Sequence, residues 1–150
     1  TAAIWNWNVY YHTAIEAAMT CGGAENFVDA MGGQAYYGGL KENFVGVSPL
    51  NEATVAPGTQ AAIDAVTDLI VSGEWDVFSG TKLHITINED GTASIEQEAA
   101  PLMTDGKELV DGEVVDAEPV EIVAAGGPSV EDSVITGTMN YFVAGVEDAN

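Results

Sequence analysis

The sequence predicts an α/β fold, because two stretches carry the periodicity of a helix and a third alternates with the period of a strand. In residues 9–20 apolar side chains recur at spacings of three and four, as on one face of a helix. Residues 57–72 repeat the pattern with an apolar stripe from Ala62 to Ile70. Leu83, Ile85 and Ile87 instead alternate with polar residues, which is typical of a half-buried strand.

The first half of the chain is predicted to hold a short strand and two helices. Residues 1–8 form a strand that runs into a turn, where the two asparagines favour a helix cap. The helix at 9–20 is expected to stop at the glycines of 22–23. Residues 24–56 are punctuated by glycine and predict loops with a short strand at 43–48. Pro57 suits the first position of the helix at 57–72, which the glycine at 73 ends.

The second half is predicted to be richer in strands. Residues 83–87 and 93–95 flank an Asn-Glu-Asp-Gly turn and predict a β-hairpin in which Gly91 takes a positive φ. The acidic, valine-rich stretch that follows suggests short strands near 108–115 and 119–124 and a break at 126–128. A short helix or strand is expected around 139–146.

Charge excludes several classes of partner. The chain has 24 acidic and 3 basic residues and a formal net charge of −21. Nucleic acids and anionic lipid surfaces are recognised by clusters of Lys and Arg, which this chain lacks. Most of the carboxylates are expected to form a solvated surface, with a functional acidic patch, for instance for Ca²⁺, as the less favoured alternative. The single cysteine, Cys21, cannot form an internal disulfide.

Residue patterns typical of catalysis or metal binding are scarce. His12 and His84 have no partner at a diagnostic spacing, and Cys21 follows a helix, where the dipole does not favour a thiolate. The segment from Asn88 to Gly91 has oxygen ligands for Ca²⁺ but lacks the spaced series of an EF-hand, so a plain turn is favoured. We therefore expect neither an enzyme nor a metal site nor a cofactor.

Aromatic residues give the sharper signal. Four aromatic residues fall within seven positions, flanked by two asparagines, at the junction of the first strand and helix: Trp5, Asn6, Trp7, Asn8, Tyr10 and Tyr11. Core packing is the favoured interpretation, and ligand contact is the alternative, because flat apolar faces beside amides suit a planar solute. Four further aromatics, Tyr36, Tyr37, Trp75 and Phe78, are expected to be core or hinge-side residues.

An ordered series of short motifs resembles the C-terminal part of basic-membrane-protein substrate-binding lipoproteins. The motifs are the segments 5–11 (WNWNVYY), 38–40 (GGL), 46–47 (GV), 55–57 (VAP), 72–73 (SG), 77–80 (VFSG) and 139–146 (MNYFVAGV), together with Asn51. The resemblance covers residues 1–82 and 135–147. It implies part of one lobe of a type I periplasmic-binding fold, to which a β-hairpin region is added.

The resemblance also implies a function. Such proteins are extracytoplasmic solute receptors, anchored at the cell surface as lipoproteins, which deliver a small organic solute such as a purine nucleoside or nucleobase to the permease of an ABC importer. Trp5, Asn6, Trp7 and Asn8 are then the residues expected to touch ligand or line the hinge. Because the first lobe is missing, the segment is expected to pair with that lobe or with a second copy.

The same resemblance divides the chain into three parts. Residues 1–82 belong to the C-terminal lobe, 83–134 form an acidic β-rich extension, and 135–150 return to the lobe. The alternative function is an acidic structural or adhesive domain of the cell surface in which the extension makes protein contacts or binds Ca²⁺.

Overall fold

The computed structural model describes residues 2–51 and 53–145, which fall into two compact units divided between Val71 and Ser72. The elements of the first unit are β1 (Ala3–Trp5), α1 (Trp7–Thr20), α2 (Phe27–Ala30), β2 (Val45–Val47) and α3 (Thr59–Ser72). A 3₁₀ turn at 24–26 precedes α2. The second unit holds the remaining elements, β3 (Thr81–Ile87), β4 (Ala93–Ala99), β5 (Leu102–Val110), β6 (Glu113–Asp116), β7 (Glu121–Val123), α4 (Asp132–Gly137) and β8 (Tyr141–Val143).

The fold is therefore mixed α/β with small sheets, as the two kinds of periodicity predict. In the first unit β1 pairs with β2, and Ile4 lies opposite Gly46. Each strand pair within the described ranges is antiparallel.

Glycines set the ends of both long helices. Gly22 and Gly73 have φ angles of 76° and 77°, and α1 and α3 stop just before them, as predicted. The predicted start of α3 at Pro57 is wrong by two residues, because Gly58 has a φ of 83° and cannot be part of the helix. The start of α1 is also wrong by two residues, since the helix begins at Trp7.

The second unit contains the predicted hairpin and a sheet organised around β5. Strands β3 and β4 pair from Thr81↔Ala99 to Ile87↔Ala93, and Gly91 has a φ of 83°, as predicted for the turn. The single strand predicted at 108–115 is wrong, because β5 and β6 are joined by a tight turn at Asp111 and Gly112. Both turn residues have positive φ, which makes this a second hairpin.

The C-terminal segment belongs to the sheet around β5. Strand β8, within the predicted helix or strand at 139–146, pairs antiparallel with β5 in the second unit, whereas the resemblance returns residues 135–150 to the first lobe. Residues 146–150 lie outside the described residues. Strand β5 thus meets β6, β7 and β8, and this central position explains why it contains the buried Thr104.

Candidate functional site: a cleft beside the aromatic cluster

The predicted site residues lie where β1 passes into α1. Trp5 ends the strand, Asn6 precedes the helix, and Trp7 and Asn8 are its first two residues. The Asn6 side chain does not cap the helix. Its amide donates a hydrogen bond to the carbonyl oxygen of Asn43 at 3.2 Å, and its backbone N–H donates to the carbonyl oxygen of Phe44 at 2.7 Å. Asn6 therefore ties β1 to the loop before β2.

Phe44 is the centre of the aromatic cluster, although its sequence context gave no sign of this role. Its ring lies edge-on to Trp5, Trp7 and Tyr36 at centroid distances of 5.2, 5.9 and 4.9 Å. Phe44 is 3% exposed and is one of two hydrophobic residues in the described part of the chain that are buried. The cluster therefore has an inner, packed side, which agrees with the interpretation as core.

The outer side of the cluster is open. Trp5 and Trp7 are stacked at 6.1 Å with an interplanar angle of 20°, and Trp5 is 61% exposed. Edge-to-face contact with Phe44 and stacking on Trp7 fix the position of the Trp5 ring while one part of its surface stays in solvent. Trp5 therefore packs against the core with one part of its ring and exposes another part to solvent.

A cleft of about 470 Å³ lies beside this exposed ring. Trp5 and Asn6 line one side, the loop and strand at 43–47 contribute a second, and α3 provides Gln60, Ile63, Asp64 and Thr67. All of these residues belong to the first unit. Trp7 and Asn8 do not line the cleft, since Trp7 stacks behind Trp5 and Asn8 lies on the exposed surface of α1. Two of the four predicted site residues therefore face the cleft.

The glycine-rich loop at 38–44 shapes the second side of the cleft. A Cβ at Gly38 would lie 3.0 Å from the Cβ of Phe44, so the close approach of the loop favours glycine. The Glu42 carboxylate accepts a hydrogen bond from the N–H of Gly39 at 2.8 Å. This bond is the main reason that the pKa of Glu42 is lowered. Asn43 has a φ of 56°, a left-handed conformation that asparagine tolerates, and its carbonyl receives the Asn6 amide.

The polar lining is provided mainly by α3, which the sequence alone marked only as a helix. Asp64 accepts a hydrogen bond from the Gln60 amide at 2.7 Å, one turn away on the same helix. The carboxylate keeps lone pairs for a further donor, and Asp64 is the charged residue of the lining. An indole face, three carboxamides and one carboxylate suit recognition of a planar solute that carries N–H or O–H groups.

The other candidate residues form no such constellation. His12 lies 3.9 Å from Glu16 on the surface of α1, and His84 makes a 2.6 Å contact with Glu98 across the hairpin. The Cys21 thiol donates to the carbonyl of Gly23 at 3.2 Å. Within residues 2–51 and 53–145, no three His, Cys, Asp or Glu side chains are grouped as metal ligands.

The Asn88 to Gly91 segment uses its polar groups internally. Asp90 accepts hydrogen bonds from the hydroxyl and the backbone N–H of Thr92 at 2.6 and 3.0 Å. Asn88 donates to the hydroxyls of Thr92 and Ser94, both at 2.9 Å. These bonds close the turn, in line with the plain-turn prediction.

Comparison with known proteins gives no further assignment. No family model matches the chain, and no curated protein or solved structure matches it at a significant level. Among the helices of the described residues, none is both long and apolar enough to cross a membrane.

Proposed function

We propose that this chain is part of an extracytoplasmic solute receptor and that the cleft beside Trp5 contacts a small neutral planar solute, such as a purine nucleoside or nucleobase. The observation that carries the proposal is the exposed, positionally fixed indole of Trp5 beside the polar groups of Asn6 and Asp64. The cleft volume of about 470 Å³ falls within the range of small-molecule sites. The resemblance of the ordered motifs to those of basic-membrane-protein substrate-binding lipoproteins supports the same proposal.

Stacking on Trp5 would supply the apolar part of the binding energy. A heterocyclic base lying on an aromatic side chain gains roughly 1–3 kcal/mol. Because the contacts with Trp7 and Phe44 already fix the indole, little side-chain freedom is lost when a base lies on it.

The polar groups of the cleft favour a neutral solute that donates hydrogen bonds. Asp64 can accept from a hydroxyl or amino group, and the Asn6 side-chain oxygen is a second acceptor, since its amide nitrogen is the atom that donates to Asn43. A phosphate would meet the Asp64 carboxylate and a chain of net charge −21. We therefore expect nucleosides and bases to bind in preference to nucleotides.

In the parent receptor, a second lobe would cover the open side of the cleft, and closure of the two lobes would hold the solute until it reaches the permease of an ABC importer. The cleft on this chain provides one wall of such a site. Binding to the chain alone is therefore expected to be weak, with a Kd on the order of 1 mM.

The proposal is tested by titrating adenosine, adenine and adenosine monophosphate into the protein and following the indole N–H signals by NMR. Trp5 and Trp7 should shift with adenosine and adenine, whereas Trp75, whose indole donates to the carbonyl of Thr81 at 2.9 Å, should stay unchanged and serve as an internal control. Adenosine monophosphate should bind several-fold more weakly because of its charge.

Two variants and one matched control locate the binding. Trp5→Ala should abolish the shifts, and Asp64→Asn should weaken adenosine binding while reducing the penalty for the monophosphate. Tyr37→Ala removes an aromatic residue that is 80% exposed and lies outside the cleft lining, and it should bind like the wild type. Absence of a saturable shift with both adenosine and adenine, or an equal loss in Tyr37→Ala, would overturn the proposal.

A further inference from the structure

Helix α1 carries an exposed apolar stripe that the cleft does not use. Four large side chains, spaced four residues apart along one side of the helix, are between 52% and 80% exposed: Trp7, Tyr11, Ile15 and Met19. Residues at this spacing are neighbours on a helix surface, so the four form one continuous strip about 18 Å long.

A second side of α1 packs into the first unit through Ala17, which is 6% exposed, and through Tyr10, whose ring lies 5.6 Å from that of Tyr36. An exposed apolar patch larger than a few hundred Å² normally marks a surface that another molecule covers. In the described residues one side of α1 is covered by its own unit and the stripe faces solvent, so a partner for the stripe is expected.

The stripe lies in the least charged part of a strongly acidic chain. Of the 24 acidic residues, one, Glu16, falls within residues 1–24. Glu16 and His12 lie beside Ile15 and Met19, where they line a groove of about 340 Å³. An apolar strip with a polar edge is the usual anatomy of a protein interface.

We infer that the stripe is an interface between two copies of this chain, with α1 packed against α1 across a twofold axis. Two copies of net charge −21 repel each other, and the surface around α1 is where they can approach without bringing many carboxylates together. This local loss of charge favours a second acidic copy as the partner, because a basic partner would be drawn to the acidic surface elsewhere.

The exposed area of the stripe reaches the lower limit for a specific interface. At roughly 200 Å² for each large side chain, the exposed fractions amount to about 500 Å² per copy. Two copies would therefore bury about 1,000 Å², before the flanking Ala18 and Asn8 are counted, and this reaches the area of about 1,000 Å² that a specific interface needs.

The twofold axis also fixes which residues meet. The midpoint of the stripe lies between Tyr11 and Ile15, so antiparallel helices place Tyr11 of one copy beside Ile15 of the other. Trp7 then meets Met19 of the other copy, a favourable contact between sulfur and an aromatic ring.

The test is the mass of the protein in solution, measured by light scattering over a range of protein and salt concentrations. The wild type should be a dimer that tightens as salt is raised, because screening reduces the repulsion between the copies. Ile15→Glu should be monomeric. Val71→Glu makes the same change at a position on α3 that is 38% exposed, and it should remain dimeric. A wild type that stays monomeric at high protein and salt concentration, or an equal loss of the dimer in both variants, overturns the inference.

A second experiment does not depend on how well Ile15→Glu folds. In a Cys21→Ser background, protein carrying Tyr11→Cys is mixed with protein carrying Ile15→Cys under mild oxidation. Antiparallel pairing predicts that mixed disulfides form at least several-fold faster than disulfides within either protein alone. Equal rates would rule out this pairing. Binding of a monomeric wild type to phosphatidylcholine vesicles would assign the stripe to lipid and would also overturn the inference.

Discussion

Phe44 in the first unit and Gly80 in the second unit stabilise the segments around them through different kinds of interaction. Phe44 is a large ring that Trp5, Trp7 and Tyr36 surround, so the first unit depends on side-chain packing. Gly80 has no side chain, and its backbone forms hydrogen bonds with three residues in two segments. Its N–H donates to the carbonyl of Gly127 at 3.1 Å, and its carbonyl accepts from Ala100 at 3.0 Å and Gly126 at 2.7 Å.

Few side chains are buried in the described part of the chain, and the two units are stabilised in different ways. In the first unit, packed aromatic rings fix one another's positions around Phe44. The second unit is made mainly of strands whose stability comes from paired backbone groups, and its buried positions within residues 72–145 are the small residues Gly80 and Thr104. Substitutions that remove side-chain volume should therefore affect the first unit most, and substitutions that disturb backbone pairing should affect the second.

The largest effect is expected from Phe44→Ala. Loss of the buried ring should lower the free energy of unfolding of the first unit by about 3–5 kcal/mol, because a cavity opens between Trp5, Trp7 and Tyr36. Urea unfolding followed by tryptophan fluorescence in a Trp75→Phe background reports on this unit. Tyr37→Ala, at a position in the same unit that is 80% exposed, is the control and should cost less than about 1 kcal/mol. Equal losses of unfolding free energy in the two variants would show that the buried ring is not what stabilises the first unit.

Gly80→Ala should destabilise the second unit by about 1–3 kcal/mol or more, although it adds a single methyl group. A Cβ at this position would overlap the carbonyl oxygen of Ala124 and lie 2.8 Å from the nitrogen of Gly127. The backbone would have to move, which breaks the bonds from Ala100 and Gly126. Hydrogen exchange at these two amides measures the effect.

Gly137 supplies the control for that experiment. It ends α4, and a Cβ there would meet no atom within 4 Å. Gly137→Ala should leave the exchange rates of Ala100 and Gly126 unchanged. If Gly80→Ala also left them unchanged, the backbone network would not be what holds this unit.

These two residues also show what could be predicted from the sequence. The helices at 7–20 and 59–72 and the first hairpin follow from periodicity and glycine stops, which are local signals. Each predicted end of these two helices lies within two residues of the observed end. The role of Phe44 depends on contacts with Trp5 and Tyr36, which lie 39 and 8 positions away in the sequence. No local pattern encodes such contacts.

The cleft was predictable in part for the same reason. Trp5 and Asn6 were identified because aromatic and amide residues cluster in the sequence, and both line the cleft. Gln60 and Asp64 were not identified, because one carboxylate among 24 acidic residues carries no signal until the fold places α3 beside β1 and β2. The turn at Asp111 and Gly112 did have a local signal, since Asp-Gly favours a tight hairpin, and that signal was missed.

Thr104→Val should cost about 1–3 kcal/mol in the second unit. Thr104 is 5% exposed, and its hydroxyl accepts a hydrogen bond from the N–H of Val120 at 2.9 Å. Valine has nearly the same shape but leaves this N–H without its partner. Thr104→Ser keeps the acceptor and should retain most of the stability in chemical denaturation. A smaller loss for Thr104→Val than for Thr104→Ser would show that packing of the methyl group matters more than the backbone bond.

The smallest effect concerns two loop carboxylates, one in each unit. Glu42 is bonded mainly by the backbone N–H of Gly39, and Asp90 mainly by the hydroxyl of Thr92, and both pKa values are lowered. Because folding lowers the pKa of Asp90, the charged form of this carboxylate stabilises the turn at pH values above the ordinary pKa of 3.8. This contribution is lost as the pH falls through the lowered pKa.

Thr92→Val removes the hydroxyl but keeps the backbone N–H, so the pKa of Asp90, measured by NMR titration of its carboxyl carbon, should rise part of the way towards 3.8. Ser94→Ala removes a neighbouring hydroxyl that bonds to Asn88 and does not contact Asp90, and the pKa should stay at its wild-type value. Glu42, which has no hydroxyl donor, should titrate identically in all three proteins. A rise in Ser94→Ala as large as in Thr92→Val would mean that the turn as a whole, and not the Thr92 hydroxyl, lowers the pKa.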